Sequence, residues 1–430
     1  MLKAVYPLLG ISLFASYARG QGAVFSQSLS HGQIKGWTGA TTCVQGATCS
    51  FVNDFRSTTS PTSTPTTPIS SVASTSSTAP GSTGTSCASN SPAKGSGTLK
   101  FTSLQGFDFG CNSDGSCSPG AAFPPLLQYF GADGAGQMTH FVKDDGYNTF
   151  RLPVAWQFFT NYVLGDPINA DNMAKYDALV QACLATGAFC IIDMHNYARW
   201  ERGIIGQGGP TNAQFAQTWG EIAAIYKDNP KIIFGIMNEP HDVPDINLWA
   251  ASVQAAVTAI RKAGATTQII LLPGNNWTSA ATFVSNGSAD ALKKVVNLDG
   301  STTNLIFDVH KYLDFDNSGT NPECTTNNIA EAWAPLAQWL RCNGRQAFNT
   351  ETGGGYNTAS CLTLMCQQIA FQAQNSDVFL GYVGWAAGNF FTGYVLSELP
   401  AQNGTTWTDT PLVAKCMAPN AGAQKGSTGQ

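Results

Sequence analysis

The chain has 430 residues and a mass of 45.4 kDa, which is too long for one ordinary domain and suits two or three. Its composition is 43% hydrophobic, which excludes a wholly disordered chain, and only 11% charged, less than half the usual share of about 25%. With 22 Lys and Arg against 27 Asp and Glu, it lacks the concentrated positive charge that a nucleic acid or an anionic membrane surface would need. We therefore expect a polar, uncharged substrate and neither a nucleic-acid nor a membrane partner.

The first twenty residues have the pattern of a cleaved secretory signal. Lys3 provides a positive start, residues 4–15 are mainly apolar, and small residues follow near Ala18. This apolar run is shorter than the roughly 18 residues that a membrane span requires, and no other run approaches that length. We expect residues 1–20 to be removed and the mature protein to be secreted, soluble and extracellular.

Cysteine and histidine usage bears on metal binding. Twelve Cys in a secreted protein indicate disulfides before metal ligands. None of them has the C-x-x-C spacing of a zinc site, and the five His are scattered without an H-x-x-x-H pair. We therefore expect neither a metal nor a cofactor.

Composition divides the chain into parts. Residues 57–86 are almost all Ser, Thr or Pro, and such a segment cannot bury enough apolar surface to offset the entropy of ordering it. We expect a disordered, O-glycosylated linker over 57–97. It would separate a small cysteine-containing module (21–56) from a large domain (98–418), and a disordered tail would follow at 419–430.

The large domain contains eight short apolar runs, each ending in polar residues and separated from the next by segments with helical periodicity. The runs lie at residues 99–108, 147–154, 189–196, 231–240, 268–277, 305–313, 346–354 and 378–388. Eight strands that alternate with helices predict a (β/α)8 TIM barrel, an α/β fold. A doubly wound open sheet is the rival, but it would need a Gly-rich first turn, and no G-x-G-x-x-G follows the first run.

Barrel active sites lie at the C-terminal ends of the strands, so the residues that end these runs are the candidates. They are Arg151, His195, Asn196, Asn238, Glu239, Trp277, His310, Tyr312, Glu351 and Trp385. Glu239 and Glu351 are about three strand–helix units apart and should face each other across the barrel mouth. Two facing carboxyls with no metal, activated Ser or cofactor motif predict glycosidic-bond hydrolysis, in which one carboxyl is protonated and the other ionised.

Neighbouring side chains fit the same chemistry. We expect Arg151 and Tyr312 to keep Glu351 charged, and Asn238 to hydrogen-bond a sugar 2-hydroxyl. Exposed Trp and Tyr would supply flat apolar faces for pyranose rings.

Six strings in the large domain carry a family resemblance: FRLPV, DMHNYARW, GIMNEPHD, DVHKYLD, TETGGG and GYVGW. In this order they closely resemble the fungal endoglucanase II type of glycoside hydrolase family 5, over about residues 98 to 417. The resemblance implies a retaining β-1,4-glucanase with Glu239 as acid/base and Glu351 as nucleophile. The other family active-site positions are matched by Arg151, His195, Asn238, His310, Tyr312 and Trp385, with Asn196 and Trp277 beside them as supporting or substrate-binding residues.

The resemblance also implies the disulfide pairs. They are Cys111–Cys117, Cys183–Cys190, Cys324–Cys361 and Cys366–Cys416. Whether Cys87 and Cys342 pair or stay free is left open, as is the state of Cys43 and Cys49.

The N-terminal module resembles a family 1 carbohydrate-binding module, the small fungal cellulose anchor, in GWTGATTCVQGATC (36–49) and VNDFRS (52–57). Only two of its usual four Cys remain, and its aromatic face is reduced to Phe25 and Phe55, with Arg56 at the third position. A domain of this size without its disulfides can scarcely hold a fold. We expect a degenerate module that no longer binds cellulose.

Other interpretations share parts of this pattern. A mannanase, a xyloglucanase or an exo-glucosidase would use the same two Glu residues, because substrate choice depends on loops. A non-catalytic wall-binding protein would instead lose a catalytic Glu and keep the binding module. We expect a monomer acting on a β-1,4-glucan. Of the sequons at Asn276, Asn286 and Asn403, we expect the first to be unmodified, because a glycan on the catalytic rim would obstruct substrate.

Overall fold

The computed structural model describes residues 47–53, 56–61, 95–99, 101–105, 111–118, 134–388 and 393–419. The chain forms two compact units, residues 1–83 and 84–430, and the division falls inside the segment predicted as the linker. The signal segment, most of the module, most of the linker and most of the tail lie outside the described residues, and the predictions made for them stay predictions.

The first unit contains a two-stranded antiparallel hairpin of β1 (Ala47–Asn53) and β2 (Arg56–Pro61). Cys49 of β1 lies opposite Thr59 of β2. The second strand therefore extends beyond Arg56 into the first residues of the predicted linker.

The second unit is built on a closed barrel of parallel strands. In chain order its strands are β3 (Phe101–Gln105), β4 (Thr149–Val154), β5 (Phe189–Met194), β6 (Arg199–Trp200), β7 (Gly203–Ile204), β8 (Ile232–Gly235), β9 (Ile269–Pro273), β10 (Leu305–His310), β11 (Ala347–Thr352), β12 (Phe379–Trp385), β13 (Ala401–Asn403) and β14 (Thr406–Thr408). β6 pairs with β7, and β13 with β14, as small ribbons. The other eight close in sequence order, with β12 pairing back to β3. Each lies within one of the eight predicted runs, which confirms the (β/α)8 barrel.

Helices connect these strands. They are α1 (Gly134–Lys143), α2 (Trp156–Phe159), α3 (Ala170–Ala185), α4 (Asn212–Tyr226), α5 (Ile246–Lys262), α6 (Ser288–Leu292), α7 (Ala334–Asn343) and α8 (Cys361–Gln374), with π-helical turns at Ile329–Trp333 and Val413–Met417. The sequence provides N-terminal capping residues for α4 and α5. Thr211 and Gln214 form a capping box on α4, and the Asp245 carboxylate accepts backbone N–H groups of α5. Within the described residues, no helix is long and apolar enough to cross a membrane.

The core has two layers because the strands are covered on both faces. Side chains that point into the barrel pack together at its axis: Ile191, Ile233, Ile269, Leu271, Ile306, Phe348, Leu380 and Val383. The alternate strand residues pack outward against the helices. Trp156, Trp219, Trp249 and Trp333 are fully buried. These four tryptophans therefore serve the core and offer no face to a sugar.

Four disulfides link Cys111 to Cys117, Cys183 to Cys190, Cys324 to Cys361, and Cys366 to Cys416. These are the four pairs that the family resemblance implied. Cys342 is also disulfide-bonded and is therefore not a free thiol.

The described barrel unit includes residues that the sequence assigned to the linker. The backbone N–H of Gly95 donates to the carbonyl of Gln374 at 3.0 Å, at the end of α8. Contact with the barrel thus extends back to Gly95.

Candidate active site

Glu351 lies in β11 with its carboxylate at the mouth of the barrel. Its Oε2 accepts a hydrogen bond from Arg151 Nη1 at 2.7 Å, and its Oε1 accepts one from the Tyr312 hydroxyl at 2.7 Å. The pKa of Tyr312 is raised well above its usual value, chiefly by burial, so the phenol keeps its proton and acts as a donor. Each oxygen of Glu351 therefore accepts a hydrogen bond from a buried donor.

Arg151 in β4 joins several groups beneath the rim and is fully buried. Its Nη2 lies 2.9 Å from Asp193 Oδ2 and donates to Asn238 Oδ1 at 2.5 Å. Burial alone would lower the pKa of Arg151, but Asp193 and Glu351 raise it above its usual value. The guanidinium is therefore a permanent cation beside Glu351.

Glu239 follows β8 on a residue with φ of +38°, a conformation that is uncommon for a side chain other than Gly and clusters at functional sites. Its Oε1 lies 2.8 Å from His310 Nδ1, and its side chain is 13% exposed. Burial raises the pKa of Glu239 well above its usual value, and the negative charge of Glu351 raises it further. Oxygens of Glu239 and Glu351 lie within 4.8 Å of each other. The protein thus holds one carboxyl with a strong tendency to stay protonated beside one that accepts two donors.

Two more predicted residues complete the rim. The Asn238 amide nitrogen Nδ2 is buried and has no hydrogen-bond partner in the part of the chain that the structure describes. His195 Nδ1 lies 2.9 Å from Asp193 Oδ2, and its ring stacks on Trp385 with centroids 5.5 Å apart. Burial alone would raise the pKa of Asp193, but Arg151 and His195 bring it below the usual value.

Comparison with known proteins identifies the family of this chain. The sequence pattern of the cellulase family (glycosyl hydrolase family 5) matches residues 107–390, and that of the fungal cellulose binding domain matches residues 34–55. The chain belongs to glycosyl hydrolase family 5.

Sequence similarity to two endoglucanases extends over almost the whole chain. Endoglucanase EG-II of Hypocrea jecorina is 53% identical over 97% of this chain and 100% of its own length. Manganese dependent endoglucanase Eg5A of Phanerodontia chrysosporium is 45% identical over 90% of this chain and 92% of its own. The crystal structure of Cel5A (EG2) from Hypocrea jecorina (Trichoderma reesei) is 59% identical, covers 74% of this chain and 98% of that one, and superposes with a TM-score of 0.72.

The outer rim of this family 5 barrel presents one accessible tryptophan. Trp277 is 40% exposed and stacks on His241 with centroids 4.0 Å apart and planes 7° apart. Trp385, by contrast, is 9% exposed and joined to Ala386 by a cis peptide bond. Of the two candidate tryptophans, Trp277 has the open face.

Asn196 does not face this rim. Its Oδ1 accepts from the backbone N–H of Trp156 at 2.7 Å, and its Nδ2 donates to Gln157 Oε1 at 2.7 Å. Both contacts lie in α2, so Asn196 supports the loop after β4 and is not placed to contact the reacting sugar.

Three residues of the site were missed by the sequence analysis: Asp193, Asp308 and Thr350. Asp193 holds both Arg151 and His195, while Thr350 contacts His310. A usable signal existed for the two aspartates. Each lies two residues before a predicted histidine, and residues i and i+2 of a strand share a face.

Backbone fills the space immediately after Glu351. A Cβ on Gly353 would lie 2.8 Å from the carbonyl oxygen of Trp385, and one on Gly354 would lie 2.6 Å from Cys324 Sγ and 2.9 Å from Cys361 Sγ. The loop after β11 therefore packs directly on the end of β12 and on a disulfide.

Proposed function

We propose that this family 5 chain is a retaining endo-β-1,4-glucanase in which Glu239 is the acid/base and Glu351 the nucleophile. The observation that carries the proposal is the short separation of the two carboxyls, with oxygens within 4.8 Å. Retaining glycosidases have carboxyl groups about 5–5.5 Å apart, whereas inverting enzymes need about 6.5–9.5 Å to admit a water molecule. The name endoglucanase, which both curated relatives carry, supports the choice of substrate.

In the first step Glu351 attacks the anomeric carbon while the bond from that carbon to the leaving oxygen breaks. The proton of Glu239 passes to the leaving oxygen, so the departing chain leaves as an alcohol. The Arg151 and Tyr312 donors hold the Glu351 carboxylate oriented for this attack.

In the second step Glu239, now ionised, takes a proton from water. The oxygen of that water attacks the anomeric carbon, the ester bond to Glu351 breaks, and the β configuration is restored. Glu239 ends the cycle protonated again, which matches its raised pKa.

The substrate contacts are inferred from a hydrogen-bond donor without a described partner and from an exposed ring at the rim. The free amide N–H of Asn238 is suited to donate to the 2-hydroxyl of the sugar undergoing attack, a hydrogen bond that strengthens in the transition state. The exposed face of Trp277 is suited to stack on a pyranose ring further along the glucan.

We propose that hydrolysis needs no metal, although one relative is named manganese dependent. Positive charge next to Glu351 is already supplied by Arg151. Two groups among the described residues bring His and carboxylate atoms within 4.8 Å: Glu239, His310 and Glu351 at the rim, and His140, Asp145 and Asp409 elsewhere. Dialysis against EDTA should change kcat on soluble β-glucan by less than about twofold. A tenfold loss that Mn²⁺ restores would contradict the metal-free mechanism.

We also propose that the protein is secreted and acts as a monomer. The disulfides of the barrel unit support secretion, because such bonds persist in oxidising compartments. Both catalytic carboxyls and their partners come from one chain, so the site needs no second copy.

Azide rescue tests the two roles. In Glu239→Ala with an activated aryl cellobioside, azide should enter at the second step and give a β-glycosyl azide. In Glu351→Ala, azide should replace the nucleophile and give the α-azide. The opposite pattern would reverse the assignment. NMR of the first products should show the β-anomer from the wild-type enzyme.

Product analysis on carboxymethyl-cellulose, mannan and xyloglucan side by side tests the substrate. Fastest cleavage of carboxymethyl-cellulose, with a rapid fall in viscosity, is the expected endo pattern. Preference for mannan or xyloglucan, or release of glucose alone, would assign one of the other family activities.

A further inference from the structure

A chain of hydrogen bonds runs from Glu239 into the barrel. Glu239 Oε1 lies 2.8 Å from His310 Nδ1, and His310 Nε2 lies 2.9 Å from Thr350 Oγ1. The Thr350 hydroxyl in turn donates to Asp308 Oδ1. His310, Thr350 and Asp308 are all buried, so this chain is shielded from solvent water.

A local irregularity of the barrel makes the chain possible. The pairing of β10 with β11 shifts register between Val309 and His310, and that of β11 with β12 shifts between Asn349 and Thr352. Neighbouring residues of a regular strand point to opposite faces, but such a shift can turn both the same way. Thr350 thus reaches His310 and Asp308, while Glu351 beside it reaches Arg151.

The direction of each bond follows from the inner end when Asp308 is ionised. Burial raises the pKa of Asp308 to about 7, so this form is present from neutral pH upward. Because the Thr350 hydroxyl gives its only proton to Asp308, its oxygen offers His310 lone pairs alone. Nε2 of His310 must therefore carry the ring proton. Burial keeps the ring neutral by lowering the pKa of His310, so Nδ1 has no proton. The proton between Nδ1 and Oε1 must then belong to Glu239.

We propose that Thr350 and Asp308 are positioning residues that hold His310 as its Nε2–H tautomer, so that its bond to Glu239 forms only when Glu239 is protonated. This inference rests on the proposed acid/base role of Glu239. No net proton transfer along the chain is involved. Thr350 and Asp308 act through His310 and do not touch the reacting atoms.

The arrangement serves both steps of a retaining mechanism. Before the first step it favours the acid form of Glu239. In that step the Glu239 O–H turns from His310 Nδ1 to the leaving oxygen and gives its proton there. After the proton has left, the Glu239 carboxylate faces the Nδ1 lone pair, which makes it a stronger base toward the incoming water. A tautomer with a proton on Nδ1 would do the reverse, because it would stabilise the carboxylate.

The other titratable groups around this hydrogen-bond chain are the same in every variant considered below. Those that face Glu239 or His310 are Arg151 in β4, Asp193 in β5, His195 after β5, Asp308 in β10 and Glu351 in β11. A comparison of variants at Thr350 leaves all of them in place.

The test uses Thr350→Val with Thr350→Ser as its matched control. Valine removes the hydroxyl and keeps the branched shape, whereas serine keeps the hydroxyl. Asp308 Oδ1 lies 3.8 Å from His310 Nε2, too far to replace the lost acceptor. In Thr350→Val, the basic limb of the pH profile of kcat/KM should move about one unit lower. In Thr350→Ser it should stay at the wild-type position.

Leaving-group dependence separates this role from a purely structural one. For Thr350→Val at pH 7, kcat/KM should fall about tenfold with an aryl cellobioside that needs protonation and less than about twofold with a dinitrophenyl cellobioside. Neither the ratio of the kcat/KM losses on the two substrates nor the position of the basic limb depends on the fraction of folded enzyme. Equal losses on the two substrates, an unmoved limb, or the same shift in Thr350→Ser would overturn the proposal.

The tautomer itself can be observed by ¹⁵N NMR of histidine-labelled full-length enzyme. His310 should show a protonated Nε2 in the wild type and a new Nδ1–H population in Thr350→Val. A proton on Nδ1 in the wild type would overturn the proposal. Azide rescue of Glu239→Ala reports on the role of Glu239 without Thr350, so a failure of that role is distinguished from a failure of this inference.

Discussion

One buried arginine organises both the nucleophile and a substrate contact. Arg151 donates to Glu351 and to Asn238 while Asp193 balances its charge. Because the Asn238 oxygen is held by this bond, its N–H points where no described residue accepts it. The amide orientation is therefore set by the same group that holds the nucleophile.

Asn238→Ala should reduce kcat/KM on cellooligosaccharides by about 10²–10³, the usual cost of removing a donor that acts in the transition state. The loss should shrink to about tenfold or less when the sugar that is attacked lacks its 2-hydroxyl, since the wild type then has no bond to lose. Steady-state kinetics on the matched pair of substrates measures this difference.

Asn196→Ala is the matched control for that experiment. It removes a buried amide whose hydrogen bonds, among the described residues, go to α2 and Cys117. It should therefore lower the melting temperature and leave the ratio between the two substrates unchanged. An equal loss on both substrates for Asn238→Ala would show that the amide only supports Arg151.

At the scale of elements, α1 is attached to the segment after β14 by an ionic cluster. His140 Nδ1 lies 2.6 Å from Asp144, and its Nε2 lies 2.9 Å from Asp409 and 3.5 Å from Asp145. The ring also stacks on Trp407 of β14, with planes 14° apart. Burial alone would lower the pKa of His140, but hydrogen bonds to Asp409 and Asp144 raise it to about 9.

This cluster predicts a pH-dependent contribution to stability. A histidine whose pKa is raised on folding stabilises the protein fully below its unfolded pKa of 6.5, and the contribution disappears as the pH rises through about 9. His140→Gln should therefore lower the free energy of unfolding by about 1–3 kcal/mol at pH 6, and by much less at pH 9.5. Urea unfolding of both proteins across this range measures the difference.

Asp145 titrates in the same cluster and complicates each curve taken alone. Burial, and then the charge of Asp409, raise its pKa to about 7. Its ionisation therefore costs stability between about pH 4 and 7. Because the charge of His140 lowers the pKa of Asp145, this cost is larger in His140→Gln and is part of the difference between the two proteins. A difference that stays constant from pH 6 to 9.5 would contradict a protonated His140.

The sequence predicts the strands of the barrel more completely than the side-chain contacts within its active site. Strand positions were readable because strands covered on both faces give nearly continuous apolar runs, and a parallel barrel brings all their C-terminal ends together. Asn196 ends such a run, and the sequence left open whether it supports the site or binds substrate, because a strand end does not fix where a side chain points. Thr350 was missed because its orientation depends on register shifts that leave no mark in the pattern.

At the scale of the whole molecule, the N-terminal module is predicted to contribute nothing to catalysis. A pattern for the fungal cellulose binding domain matches residues 34–55, and this region contains β1 of the β1–β2 hairpin, whereas β2 follows it. Two of the usual four Cys are missing, however, and each absent disulfide should cost about 2–5 kcal/mol in so small a fold.

Deleting residues 21–94, which leaves the Gly95 bond to α8 intact, should keep activity on soluble β-glucan within about twofold of the full-length protein. Adsorption to microcrystalline cellulose should change little, because the module has lost most of its aromatic face. Pull-down of both proteins on the same cellulose is the measurement. A several-fold loss of adsorption on truncation would show that the module still folds and binds.

The glycines that follow Glu351 limit how this enzyme can be altered by laboratory evolution. Random libraries at Gly353 and Gly354 should contain almost no active members, because any side chain there collides with backbone or with the Cys324–Cys361 sulfurs. We therefore expect the segment that follows the nucleophile to tolerate almost no substitutions at these two glycines. New substrate preferences would have to be selected elsewhere on the rim, for example at Trp277 after β9, whose ring is open to solvent.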